Sequence, residues 1–386
     1  MLLVVACGES ENQMKQLLTH SRSAAFKSCR RRHWYEYELG IRRTVDGKAL
    51  RMGSAFHAGL ESLAHHDDLS KACEAAHAYY GDIGDAELEM ECQTVMTMLC
   101  GYQWRWQLSP LEYVAVEQEW RLPLINPETG KASVNFEIAG KIDGIVRLED
   151  GRLAVIEHKL LGDDISVDSF LWERMRIDQQ VTMYVLAGRR LGFDVDCVLY
   201  DVARKPTIKP TAVPLLDEAG LKQVIDGDGN RVLNKNGTPK QIASDGNQLL
   251  VRDMRPDEWS SKLNNDIAER PNFYFARREI TRLNADIDEL QDELWDIAKS
   301  LRDSQLKDRW FRNVSKYTCE GCSVFNLCST GFDGLTGTLP EGYRRVESIN
   351  PELNEVANNA RSSANAAPAY ERLSNPVDAA AAAVTG

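Results

Sequence analysis

The sequence predicts an α/β fold in which a mixed central β-sheet is flanked by helices, with an N-terminal helical region before it and a C-terminal cysteine-cluster segment after it. Three observations predict it. Helical periodicity dominates the first third of the chain, β-type alternation takes over between residues 113 and 160, and the run CEGCSVFNLC groups Cys319, Cys322 and Cys328. At 386 residues, 43% hydrophobic and 27% charged, the chain has room for one large domain or two small ones around a sizeable core.

Residues 1–20 carry no strong pattern and are expected to form a tail. MLLVVACGES lacks a basic n-region, and its apolar run falls short of the ~7 to 15 residues of a signal h-region, so export is not expected. The 9 cysteines then imply a reducing, cytoplasmic compartment, where grouped thiols serve as metal ligands more often than as disulfides. No stretch approaches the roughly 18 consecutive apolar residues of a membrane span. Met52, Phe56, Leu60 and Leu63 recur at helical spacing, and 70–108 is similarly helix-like. Residues 113–125 and 134–160 read as strands, with FEIAGKIDGIVRL, the turn EDG and RLAVIEHKL forming a hairpin. A helix over about 170–191 and the strand FDVDCVLYDV follow.

Residues 204–260 read as an inserted hairpin region whose DGDGN and NKNG segments are turns. DGDGN lacks the sixth-position Gly and twelfth-position Glu of a calcium loop. Over 278–302 a long amphipathic helix is expected, because Ile280, Leu283, Ile287, Leu290, Leu294, Ile297 and Leu301 alternate three- and four-residue spacings. Its apolar seam should dock on the core; pairing with another chain is the alternative. The folded domain is expected to span 21–345, and 346–386, where Ala, Asn and Ser take over, to be a disordered tail. No phosphate-binding loop of the G-x-x-x-x-G-K-[ST] type occurs, so no helicase motor is fused here.

A formal net charge of −12 argues against a protein that coats nucleic acid through bulk electrostatics. Local patches must do any such binding. Candidates are Arg30, Arg31 and Arg32 among Trp34, Tyr35 and Tyr37, with Arg42 and Arg43, Arg189 and Arg190, Arg204 with Lys205 and Lys209, and Arg277 with Arg278. Cations interleaved with aromatics suit a single strand, whose phosphates need charge and whose bases stack. Solvated faces and helix ends account equally well for any one of them.

A hairpin turning near Asp150 sets Asp143 opposite Glu157, with β-carbons ~5 Å apart. Period-two alternation then points Lys159 to the face of Glu157, while the His158 side chain points away and offers its backbone carbonyl. Apolar neighbours bury these strands, and buried like charges are costly unless a cation neutralises them. Hard oxygen ligands of this kind suit magnesium or manganese, and a lysine beside them can orient or deprotonate an attacking water. A Glu157–Lys159 ion pair accounts for the E-x-K alone.

The ordered set goes further. His57 in the helix GSAFHAGLE, Asp143, Glu157-His158-Lys159, and Gln180 four residues before Tyr184 together resemble the RecB-like branch of the PD-(D/E)XK nuclease superfamily. The resemblance implies a restriction-endonuclease-like fold and a metal-dependent DNA exonuclease. It implies Mg2+ or Mn2+ held by His57, Asp143, Glu157 and the His158 carbonyl, with Lys159 at the water. Gln180 and Tyr184, which share a helix face, would position substrate and lysine; Gln179 lacks a tyrosine four residues on. Gly144 stands where many relatives carry arginine, and Leu160 where threonine is frequent.

C-x2-C-x5-C supplies three ligands to one centre and needs a fourth. The resemblance supplies it as Cys29, because iron-sulfur members, including CRISPR-associated and AddB-type nucleases, place one cysteine before the nuclease core and three after it. A 4Fe-4S cluster on Cys29, Cys319, Cys322 and Cys328 is thereby implied, with zinc the competing occupant on spacing alone; Arg30 replaces the usual proline. Cys7, Cys73, Cys92, Cys100 and Cys197 read as buried small residues. The expected substrate is DNA, single-stranded or at ends, in recombination, repair or phage DNA metabolism, with a recombination or helicase partner and, for a phage-encoded chain, the host cytoplasm. A structure-specific endonuclease and a non-catalytic DNA-binding assembly protein are the alternatives.

Overall fold

The computed structural model describes residues 15–350 and 353, except 82, 245 and 337. The readings of 1–14, including Cys7, and of 351–352 and 354–386 lie outside these residues. Strand β1 (Gln16–Leu18), within the expected tail, lies in the central sheet. Helix α1 (His20–Ser28) starts at Thr19, whose hydroxyl accepts from Arg22 N at 3.2 Å. Helix α2 (Lys48–His66) buries Met52, Phe56 and Leu60 at helical spacing. The helix-like stretch that follows is two helices, α3 (Leu69–Tyr80) and α4 (Ala86–Trp106). The chain breaks at Gly81, whose φ of 64° a side chain would disfavour, and restarts at the cap Asp85.

Three long antiparallel strands follow: β2 (Glu112–Ile125), β3 (Ala132–Arg147) and β4 (Leu153–Leu161). The expected helix over 170–191 is split into α5 (Phe170–Met175) and α6 (Gln179–Arg190), because Asp178 accepts from Gln180 N at 2.8 Å and starts a new helix there. Strand β5 (Val195–Arg204) lies parallel to β4. The insertion forms short ladders, Val213–Pro214 with Val251–Arg252 and Val224–Ile225 with Gln248–Leu249, and gives way at Pro256 to α7 (Pro256–Glu269).

The expected helix at 278–302 needs correction at its start. Phe275–Thr281 is strand β6, paired antiparallel with β5 from Phe275↔Ala203 to Thr281↔Cys197, and helix α8 runs Asn284–Lys307. The helical spacing extended into the strand by coincidence, and a pairing partner some 75 residues upstream overrode it. The seam docks inward as expected: Ile287, Leu290, Leu294 and Leu301 are buried in the core.

Sheet order is β1–β3–β4–β5–β6, with β2 on the other edge of β3. Alternation along the central strands separates two cores. Val155 and Val198 pack with α6 and α8 on one face. Ala203 and Phe275 pack with α2, α4 and α7 on the other. This is the mixed, helix-flanked sheet of the restriction-endonuclease-like fold. The C-terminal segment returns to the stretch that follows α1: Arg31 N donates to Phe311 O at 3.1 Å, and Tyr343–Arg345 pairs antiparallel with Ile41–Arg43. Among the described residues, no helix is long and apolar enough to cross a membrane.

Candidate active site

The β3–β4 register runs Gly144↔Ile156, Ile145↔Val155, as the turn at Asp150 predicts, and ends there. On the same edge β1 pairs with β3 only at Phe136–Ile138. Asp143 and Glu157 therefore lie just beyond the last pair, where the ladder opens. The Asp143 carboxylate takes the place of a strand carbonyl and accepts from His158 N at 2.9 Å. Asp143 also lies 3.7 Å from His57 Nδ1, and the His57 and His158 rings meet edge to face with centroids 6.3 Å apart.

Glu157 is 2% exposed. Its Oε1 accepts from Lys159 Nζ at 2.8 Å, while its Oε2 is buried without a hydrogen-bond partner. Lys159 Nζ donates also to Gln180 Oε1 at 3.0 Å, and Gln180 Nε2 donates to the Tyr184 hydroxyl at 3.0 Å. The restart of α6 at Asp178 is what brings Gln180 into this reach. Burial drives the Glu157 carboxyl up to about 7, with Lys159 opposing and Asp143 adding, and raises Asp143 too. Burial would lower Lys159, but Glu157 and Asp178 outweigh it and hold the ammonium above its ordinary value. Burial and the neighbouring His158 bring His57 down to about 4, so its ring is neutral near pH 7.

A divalent cation fits this donor set. One buried and one partly buried carboxylate that resist ionisation, and an orphaned buried oxygen, are what a cation would relieve. Among the described residues, no three His, Cys, Asp or Glu side chains form a ready-made metal cage. Magnesium does not require one, since it keeps several waters and takes one or two carboxylates.

Among the described residues the four cysteines form no ready-made metal cage either. Cys29 caps α1 and its Sγ accepts from Asn313 N at 3.4 Å, across a sequence separation of 284 residues. Arg312 Nε donates to Cys328 Sγ at 3.2 Å, and Cys319 and Cys322 line one cavity. Hydrogen bonds into the sulfurs suit thiolate ligands. Cys92 and Cys197 are buried as expected, but Cys73 and Cys100 are partly exposed and hydrogen-bond each other between α3 and α4.

Several expected nucleic-acid cations are engaged internally. Arg31 stacks on Trp34 at 5.1 Å, Arg42 on Tyr37 at 4.8 Å, and Arg30 lies between Phe26 and Phe311 at 4.8 and 4.5 Å. Arg32 pairs with Glu36 at 3.1 Å.

Sequence reasoning missed three groups. His20, at the start of α1, lies in the electrostatic reach of Lys159 and Asp178. Glu117 sits on β2 with a φ of 49°, paired with Lys141 and close in charge to Glu61 and Asp143. Behind His158, on the opposite sheet face, lies a buried cluster. The Tyr113 hydroxyl is 3.0 Å from His158 Nε2, and Asp201 Oδ2 is 3.3 Å from His158 Nδ1. The Tyr102 hydroxyl donates to Asp201 Oδ2, and Arg277 Nε lies 3.3 Å from Asp201 Oδ1. A charged residue inside the apolar strand FDVDCVLYDV was the available signal for Asp201.

A helix-flanked mixed sheet whose adjacent strands present two carboxylates and a lysine defines the class of restriction-endonuclease-like α/β proteins. The sequence profile of the PD-(D/E)XK nuclease superfamily matches residues 17–329, and the chain belongs to that superfamily. No curated protein matches it. Among solved structures, the crystal structure of SSO0001 is similar at 12% identity over 83% of this chain and 88% of that one, with a TM-score of 0.30.

Proposed function

We propose that this nuclease is a metal-dependent DNA exonuclease of the RecB-like branch, acting on single strands or strand ends, whose single domain is fastened by a 4Fe-4S cluster on Cys29, Cys319, Cys322 and Cys328. The observation that carries the catalytic reading is the chain Glu157–Lys159–Gln180–Tyr184, which holds one ammonium beside an unpartnered carboxylate oxygen. A structural ion pair would need neither the orphaned oxygen nor the glutamine relay.

Asp143, Glu157 and the His158 carbonyl, with His57, would hold Mg2+ or Mn2+, which when bound polarises a phosphoryl oxygen and the attacking water. The protein's own groups do the rest. Lys159, charged and anchored at two points, donates to the water or to the phosphoryl oxygens and offsets charge that grows in the transition state. Gln180 fixes the ammonium with its oxygen and is itself oriented by Tyr184. The His57 ring, neutral near pH 7, is free of the proton that would oppose a cation. The expected pathway is recombination, repair or phage DNA metabolism in the cytoplasm, alongside a recombination or helicase partner.

The test is cleavage of end-labelled linear and covalently closed circular single strands by anaerobically purified protein with magnesium or manganese. An exonuclease degrades the linear strand and spares the circle. Efficient opening of circles would instead establish the endonuclease alternative, and no metal-dependent cleavage of either would reject the reading.

A further inference from the structure

We infer that Asp201 and Arg277, with Tyr102 and Tyr113, form a buried brace that positions the His158 peptide, making Asp201 a positioning residue for the cation-holding face of the site. The inference rests on the reading above.

His158 is used on both sides of the sheet. In front, its N–H donates to Asp143 at 2.9 Å, and Asp143 in turn lies 3.7 Å from His57 Nδ1, so this peptide adjoins two of the side chains that would hold the cation. Behind, its imidazole meets Tyr113 and Asp201, and Arg277 and Tyr102 hold Asp201 in turn. Tyr113 comes from β2, Asp201 from β5, Arg277 from β6 and Tyr102 from α4. Tyr113 touches Nε2 at 3.0 Å and Asp201 lies 3.3 Å from Nδ1. Arg277 donates to the Tyr102 hydroxyl at 3.0 Å and to Ser109 O at 2.8 Å, and its guanidinium stacks on Trp106 at 4.0 Å.

Asp201 is 2% exposed and His158 6%. The 3.3 Å contacts of Asp201 with His158 Nδ1 and with Arg277 Nε are close but not aligned hydrogen bonds, and the first is an ion pair only when the ring carries a proton. Buried pairs of this kind add little net stability, and apolar replacements commonly do as well or better. Stability therefore does not explain why charge is placed here. Position does: the cluster lies directly behind the peptide whose N–H holds Asp143, and partners behind a ligand fix its orientation.

The experiment is Mn2+ binding to the full chain, followed by electron paramagnetic resonance, for wild type, Glu157→Ala, Asp201→Asn and the double variant Asp201→Asn with Arg277→Gln. Asp201→Asn should weaken Mn2+ binding by about tenfold or more. Its half-saturating metal concentration for cleavage should rise more than kcat at saturating metal falls. The double variant removes both buried charges and so keeps the test in a folded protein; it should melt near wild type and still bind Mn2+ weakly. Wild-type Mn2+ affinity in the double variant, with binding still lost in Glu157→Ala, would overturn the brace alone. Binding that is indifferent to Glu157→Ala would overturn the site reading and the brace together.

Discussion

Lys159 touches Glu157 and Gln180 directly, whereas Tyr184 is linked to it through Gln180, and this order sets the expected ranking of variants. Lys159→Ala should cut kcat by about 100- to 1,000-fold or more, as removal of a transition-state donor does. Glu157→Ala should abolish cleavage through loss of the cation, and both proteins should still bind DNA. Gln180→Ala should cost less, and Tyr184→Phe less again. Single-turnover rates in the reverse order would refute this division of roles. His33 offers a separate test at the same scale. It is fully buried, accepts from Arg22 Nε at 3.3 Å, and stacks between Tyr37 and Trp310. Burial, then the charges of Arg22 and Arg42, lower its pKa from 6.5 to about 2. Below about pH 6.5 the unfolded chain takes up a proton that the folded one refuses. The stability that neutral His33 contributes is therefore present above pH 6.5 and lost as pH falls toward 2. The urea midpoint of wild type should drop more between pH 7.5 and 5 than that of His33→Gln; equal drops would count against it.

Helix α8 illustrates how an element is held by one stripe. Leu294 is fully buried against the core, while Leu306 on the same helix is 71% exposed. Leu294→Ala should cost about 2–5 kcal/mol of unfolding free energy, through lost transfer energy and a residual cavity. Leu306→Ala should stay within about 0.5 kcal/mol. Denaturant titrations would separate them, and equal losses would mean that α8 does not rest on this seam. Helix α6 shows the complementary lesson. Its new start at Asp178, not its apolar content, decides whether Gln180 can meet Lys159.

Across the whole molecule, the contact of Cys29 with Asn313 and of Ser28 O with Asn313 Nδ2, at 2.8 Å, joins the first helix to the segment that carries the other three cysteines. A cluster bound there would close a loop of nearly the entire domain. By analogy with a long disulfide loop, such closure is worth of order 5 kcal/mol through the denatured state. Cys29→Ala should bleach the brown colour, lower the melting temperature and reduce cleavage, while Cys197→Ala should show only a packing cost. Full iron content and normal melting in Cys29→Ala protein would remove the cluster from the proposal and leave the nuclease untouched.

The sequence by itself determined the family, the sheet-and-helix plan and the β3–β4 register, because each is written in local pattern: alternation through FEIAGKIDGIVRL and RLAVIEHKL, a turn at EDG, and motif order along the chain. It also named Asp143, Glu157, Lys159, Gln180 and Tyr184, which the fold brings together. Tertiary structure alone decided the rest. Residues 278–281 became strand because β5 offered an open edge, a partner that no local window contains. Arg31 and Arg42 turned inward because aromatic faces lay within reach. Asp201 and Arg277 met His158 because three strands, β4, β5 and β6, align in register. Such pairings depend on free energies of burial and charge between elements far apart in the chain, and a linear pattern does not encode which distant partner will be there.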